Sequence, residues 1–257
     1  MIRNRNRIKH FLRLIRSRWQ DYNGLLGAKD LESINTWVSQ NTLLGFNGNV
    51  LRVKLLEAII RIYNATHFIE TGTYHGATTI FVRRYLNIPV LTCELCLQNY
   101  LISKLVTLGM EGVKVYYSDS IIFLRRIING KINDLKPERP LFYLDAHEGI
   151  NPHSLPLLEE LDIILNLPSF VILIDDFKVP FDENFFWGTY GYISLNIDLI
   201  REGLLKKGIT KCFFPNYLAN IETGYKSGYV LIWRSKKMDE SYKSDPFLSN
   251  IIQEYYL

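Results

Sequence analysis

Six carboxylates recur at places where chemistry needs them. Glu70, Glu94, Asp119, Asp145, Asp175 and Asp176 each close, or directly follow, a short apolar run. The first run leads into FIETGTYHGATT, residues 68–79, where Glu70 is followed by Gly72 and Gly76. An acid closing a strand is often a cap for the next helix. Six acids at five successive ends would repel one another unless a positive or hydrogen-bond-donating group lies between them. Glu94 stands 24 positions after Glu70, where nucleoside-binding α/β folds place a carboxylate that grips ribose hydroxyls. The loop lacks the middle glycine of G-x-G-x-x-G, which argues against a pyrophosphate at this turn.

Stepping along the chain shows what must position these acids. Apolar runs fall at 67–71, 89–94, 113–117, 140–145 and 170–175, with helix-length segments at about 76–86, 97–108, 119–129 and 154–165 between them. Strand and helix in alternation imply right-handed crossovers and a parallel sheet buried on both sides. A further helix is expected over 193–207. Two closing strands, 211–216 and 227–235, are joined through a short Gly-containing segment and should pair antiparallel. The expected domain is α/β, a Rossmann-like three-layer sandwich over residues 49–257. In front of it, residues 1–48 form a basic amphipathic helix and a lid-like extension.

Residues 68–76, Glu94 and YSDS at 117–120 together resemble class I S-adenosylmethionine-dependent methyltransferases, whose first motif is E-x-G-x-x-x-G. The resemblance covers roughly residues 50–235 and implies a seven-stranded, mostly parallel sheet with a C-terminal antiparallel strand pair. It implies S-adenosylmethionine as cofactor. Glu70, Gly72, Thr73, Tyr74 and Gly76 would lie at its amino-acid end, with Asp145 nearby. Glu94 would take the ribose, and Asp119 and Ser120 would sit by the adenine, although Asp119 also suits a helix N-cap.

Asp145, Asp175 and Asp176 are three carboxylates at two neighbouring strand ends, a donor set that suits Mg²⁺ or another hard divalent cation. This part resembles metal-dependent O-methyltransferases, in which the metal positions an acceptor hydroxyl and lowers its pKa. The lysine base of the catechol-type members has no counterpart here, where Ala146, His147 and Glu148 follow Asp145. His147 is the candidate base, with binding a metal or holding one of its ligands in place as the other reading, and Lys178 is a second candidate base. Trp187, Tyr190 and Tyr192 lie in a long aromatic segment, 178–192, that could stack on a sugar or simply pack as a loop.

The expected activity is methyl transfer to a hydroxyl of a sugar, glycan precursor or small polyhydroxylated metabolite. Two alternatives stand beside it: a non-catalytic methyltransferase-like module and an NAD(P)-dependent sugar-modifying oxidoreductase. Net charge is +4, too small to point to nucleic acid. Seven Lys/Arg and no acid lie in residues 1–18, leaving 23 basic against 26 acidic residues beyond. Ile8, Phe11, Leu12, Ile15 and Trp19 recur at helical spacing among those charges, so residues 8–19 suit a membrane surface, a partner subunit of a homo-oligomer or their own domain. Cys93, Cys96 and Cys212 do not make a disulfide framework, and the C-x-x-C at 93–96 spans a strand end rather than a redox site. With no membrane-length apolar run and no signal-peptide core, the expectation is a cytoplasmic protein, membrane-associated if residues 8–19 bind lipid.

Overall fold

A computed structural model describes residues 45–130, 137–147 and 155–257. The expected basic helix at 8–19, most of the lid-like extension and Glu148 lie outside the described residues.

The apolar runs are strands at the expected places: β1 (His67–Thr71), β2 (Val90–Glu94), β3 (Val113–Tyr117), β4 (Pro140–Leu144) and β5 (Phe170–Asp175). Every residue of β2, β4 and β5 is buried, as strands covered on both faces require. Successive side chains go to opposite layers. Leu141, Tyr143, Val171 and Leu173 join one core, whereas Phe142, Leu144, Ile172 and Ile174 join the other. The first core is closed by α1 (Val50–Tyr63) and α2 (Ala77–Phe81, running on as a wider turn through Leu86), with Val106 of α3 (Leu97–Val106) packed against it. The second is closed by α4 (Ser120–Ile128), α5 (Leu157–Ile164) and α6 (Ile197–Lys206). These are the three layers expected from the sequence.

Two short strands, β6 (Thr189–Tyr190) and β7 (Ile193–Ser194), form a separate antiparallel ribbon inside the aromatic segment. After α6 come β8 (Lys211–Pro215) and β9 (Tyr229–Arg234), then the helices α7 (Lys236–Ser241) and α8 (Leu248–Ile251), and β10 (Ile252–Tyr256). The main sheet runs β3-β2-β1-β4-β5-β9-β8-β10. Its first five strands are parallel, β9 is antiparallel to both β5 and β8, and β10 is antiparallel to β8. The expected antiparallel pair is therefore present. The sheet has eight strands rather than seven, because β10 pairs along all five of its residues with β8 and covers that edge.

Strand order reverses between β1 and β4, and crevices of open α/β sheets form at that point, beyond the carboxyl ends of the strands. Among the described residues, no helix is long and apolar enough to cross a membrane.

Candidate active site

The turn after β1 is built by backbone conformation. Gly72 and Gly76 have φ of +84° and +83°, and Tyr74 between them has +48°, a region uncommon for residues other than glycine. The two glycines are needed for different reasons. A Cβ on Gly72 would lie 2.5 Å from the carbonyl oxygen of Asp145, so the loops after β1 and β4 touch through their backbones. The Asp145 amide also donates to Thr71 O at 3.1 Å. A Cβ on Gly76 would meet only Val106 and Ser103, at 3.5 Å or more, so its positive φ alone calls for glycine. Any side chain at Gly72 is therefore excluded by the neighbouring loop.

Glu94 explains how Tyr74 is held. Its Oε2 accepts from the Tyr74 amide at 2.8 Å and its Oε1 from the Cys96 amide at 2.8 Å. The carboxylate is nearly buried and fixed in orientation. Two carboxylate oxygens offer about four acceptor positions, so two remain beyond those the backbone uses. Glu70 is a brace under the same turn: its Oε2 accepts from the hydroxyls of Thr79, on α2, and Thr92, on β2. Thr73 and Thr92 share a 2.6 Å hydroxyl contact beside it. Burial pushes the Glu70 carboxyl up to about 7, against the pull of those hydroxyls.

At the end of β3, Asp119 caps α4, with Oδ1 accepting from the amides of Ile121 and Ile122 at 2.9 and 3.2 Å. Ser120 is buried next to it. Facing Ser120 and Thr71 is Glu160 of α5, a residue the sequence analysis passes over. It is fully buried, and neither oxygen closes a hydrogen bond of good geometry. Burial pushes its carboxyl up to about 7, while the two hydroxyls pull it down.

The three aspartates expected to bind a metal do not form such a set. Asp175 is fully buried and engaged on both oxygens. Oδ1 takes Arg52 Nη1 at 2.5 Å, Ser227 Oγ at 3.0 Å and the Asp176 amide at 2.9 Å, and Oδ2 takes the Tyr143 hydroxyl. Arg52 also donates to Ser227 O at 2.9 Å and lies over the Tyr229 ring. Burial pushes the Asp175 carboxyl up, but Arg52 and the donated hydrogen bonds outweigh it and hold it below the usual range. Asp175 is thus half of a buried ion pair that ties α1 to β5, and both of its oxygens accept from protein donors. Among the described residues, no three His, Cys, Asp or Glu side chains converge as a metal site. Asp176, with φ +50°, holds Gly188 through its carbonyl at 2.8 Å and so anchors the aromatic segment to the end of β5.

His147 follows the end of β4, and only 1% of it is exposed. Neither ring nitrogen closes a hydrogen bond. Burial lowers its pKa to about 4, with Asp175 and the Leu144 carbonyl opposing, so the ring is neutral at pH 7. Tyr190, on β6, has its ring 6.5 Å from the His147 ring. The Lys178 ammonium lies 4.7 Å from the centre of the Trp187 ring and 3.8 Å from the Glu183 carboxylate. Tyr192 remains exposed at the tip of the ribbon. Cys93 is buried and Cys96 exposed, and both are free thiols.

Arg52, Tyr143, Ser227 and Glu160 are the residues that sequence reasoning missed. Two of them carry a signal. Arg52 is one helical turn from Leu56 and Glu160 one turn from Ile164, each a charge on the apolar face of its helix.

No family model matches the chain, and no curated protein matches it. Among solved structures, it is similar to an O-methyltransferase from Bacillus cereus in complex with SAH, at 19% identity over 80% of this chain and 92% of that one, TM-score 0.48. It is also similar to a SAM-dependent methyltransferase from Aquifex aeolicus, at 16% identity over 81% of this chain and 100% of that one, TM-score 0.47. A third is the O-methyltransferase TomG from Streptomyces achromogenes, at 14% identity over 83% and 95%, TM-score 0.46.

Proposed function

We propose that this protein is an S-adenosylmethionine-dependent methyltransferase acting on a hydroxyl of a small polyhydroxylated acceptor, such as a sugar or glycan precursor. One observation carries the reading: the sheet order. Dinucleotide-binding sheets of the 3-2-1-4-5-6 type continue past β5 with a further strand. Here an antiparallel strand, β9, is inserted between β5 and β8. The methyltransferase resemblance implies such a closing pair, and the nucleoside-gripping carboxylate Glu94 lies at the carboxyl end of the same sheet.

In this reading, Glu94 holds the ribose hydroxyls with the acceptor positions its backbone bonds leave over. The turn from Gly72 through Thr73 and Tyr74 to Gly76 cradles the amino-acid end, with Glu70 bracing the turn from beneath and Asp145 at its edge. Asp119 and Ser120 flank the adenine. When bound, the cofactor supplies an electrophilic methyl group on a sulfonium. The neutral His147 accepts a hydrogen bond from the acceptor hydroxyl, orients it and takes up its proton as the oxygen is methylated. The nearby charge of Asp175 partly offsets the burial that disfavours an imidazolium there. Tyr190 closes the acceptor side, and the aromatic segment offers faces on which a sugar ring can stack. A divalent cation has no part in this reading, because the Asp175 oxygens it would need are held by Arg52, Tyr143, Ser227 and the Asp176 amide.

Calorimetric titration with S-adenosylhomocysteine, NAD⁺ and NADP⁺ tests the assignment. The expected result is binding of S-adenosylhomocysteine alone, with affinity about tenfold or more weaker in Glu94→Gln, the scale of one hydrogen bond to a charged group. Binding of a dinucleotide but not of S-adenosylhomocysteine would overturn it.

A further inference from the structure

Helix α5 carries an acid into the interior without a cation to meet it. Its buried residues are Leu157, Glu160, Leu161 and Ile164, at the spacing of one helix face, and Glu160 is 0% exposed. A charged side chain buried this deeply normally has an ionic partner, as Asp175 has Arg52. Among the described residues, the ionisable groups acting on Glu160 are Asp119 at the head of α4 and Cys93 on β2, and neither can be a cation. The adjacent acid of the same turn, Glu159, is exposed and pairs with Arg125 at 3.7 Å.

Glu160 lies under the carboxyl ends of three strands. Thr71, which it faces, is the last residue of β1 and directly precedes Gly72. Thr71 is paired in register with Cys93, which directly precedes Glu94 on β2. Ser120, which Glu160 also faces, directly follows Asp119 beyond β3. The loops leaving these three points are the ones assigned above to the cofactor. Thr71 is held through its backbone, whose carbonyl accepts from the Asp145 amide at 3.1 Å. Its buried hydroxyl, like both oxygens of Glu160, closes no hydrogen bond of good geometry. Two buried polar groups thus face each other, one at the edge of the crevice and one behind it. Such groups are costly to leave unpaired, and hydrogen bonds that orient a ligand commonly close only when it binds.

Resting on the methyltransferase reading, we propose that Glu160 is a positioning residue for the cofactor: as the nucleoside seats above, its carboxyl pairs with the Ser120 and Thr71 hydroxyls from beneath and fixes the adenine side of the crevice. It touches neither cofactor nor acceptor. The arrangement has a signature in protons. A protonated carboxyl donates to one hydroxyl and accepts from the other, whereas a carboxylate only accepts. Burial already raises this carboxyl to about 7, and Asp119 adds to the rise. A cofactor lying over Ser120 removes water from the solvent side of the cluster and favours the uncharged acid further. Glu160 therefore takes up a proton as the crevice fills.

Calorimetric titration of the full chain with S-adenosylhomocysteine, which bears no net charge at neutral pH, tests the proposal. Run in phosphate and in imidazole buffer, it counts the protons exchanged from the difference in heat. The expected result at pH 7 is uptake of roughly 0.3 proton or more by the wild type, vanishing by about pH 5 where the acid is already protonated, and uptake smaller by that amount in Glu160→Gln. Uptake that remains in the variant belongs to Glu70, the other acid raised to about 7. Glu160→Leu, which can pair with neither hydroxyl, should bind about tenfold or more weaker, and Glu160→Gln, whose amide pairs with both, should recover most of that loss. Melting curves establish that each variant is folded, and Glu160→Gln alone decides the matter if Glu160→Leu is not. Equal proton uptake by the wild type and Glu160→Gln, with S-adenosylhomocysteine bound to both, would overturn the proposal and leave the methyltransferase reading standing. Binding by folded Glu160→Leu as tight as that of the wild type would do the same. Failure of the wild type to bind S-adenosylhomocysteine at all would overturn that reading, and this proposal with it.

Discussion

Burial, more than sequence position, sets the behaviour of the individual acids. Glu94 and Glu160 are both buried, yet only Glu94 receives backbone amides on each oxygen. Glu160, like Glu70, is raised to about 7 in the folded state, from an ordinary value of 4.5. A raised carboxyl stabilises the fold fully below its unfolded pKa, and that contribution is lost as pH rises through the folded one. Glu160→Gln keeps the uncharged shape at every pH. The variant should therefore match the wild type near pH 4 and gain on it between pH 4.5 and 8. The gain approaches roughly 3 kcal/mol, the worth of such a shift at 1.36 kcal/mol per unit. Melting curves over pH 4–8 check this, and a constant difference across that range would show that Glu160 titrates alike in the folded and unfolded states. His147 works in the opposite sense. With its pKa lowered to about 4, it destabilises the fold as pH falls from about 6.5 to about 4, so over that window it opposes the trend set by Glu70 and Glu160.

Among the elements, the turn joining β1 to α2 separates two uses of glycine. Gly72 combines a positive φ with backbone contact to Asp145, whereas Gly76 has the φ without the contact. Gly76→Ala should cost about 1 kcal/mol, the strain of a left-handed residue. Gly72→Ala must also push the loop after β4 away, and with it Asp145 and His147, so its cost should exceed that of Gly76→Ala by 2 kcal/mol or more. Urea denaturation of the two variants gives the comparison, and equal midpoints would mean that the loops after β1 and β4 move apart freely. If the functional reading holds, Gly72→Ala should also impair acceptor methylation more than cofactor binding, because it displaces the β4 side of the crevice.

For the molecule as a whole, the Arg52–Asp175 pair joins an N-terminal helix to the middle of the sheet, and Ser227 and Tyr229 bring in the segment leading to β9. Breaking one side of a fully buried pair strands the other charge and typically costs 3–5 kcal/mol. Asp175→Ala should therefore lower the melting temperature by roughly 6–20 °C in a protein of this size. Mg²⁺ should leave the melting temperature of the wild type where it is. A Mg²⁺-induced rise in the wild type that disappears in Asp175→Ala would show that the aspartate serves a metal instead.

The local pattern of residues is enough to place β1 to β5, the helices between them and the antiparallel closing pair. Strands buried on both faces are near-continuous apolar runs, and the turns between them are marked by glycine and by acids. The same pattern places Glu70, Glu94, Asp119, Asp145 and His147 at the carboxyl edge, because a parallel sheet puts all those ends on one side. What each acid does there was decided only by tertiary contact. Asp175 reads as a metal ligand until Arg52, 123 positions away, is folded against it. Glu160 reads as an ordinary helix acid until α5 turns it toward Ser120 and Thr71. The eighth strand becomes visible only when Ile252–Tyr256 finds the edge of β8. A strand or a turn is written in neighbouring residues, whereas the charge state and partners of a buried carboxylate depend on groups that are distant in the chain and meet only when it folds.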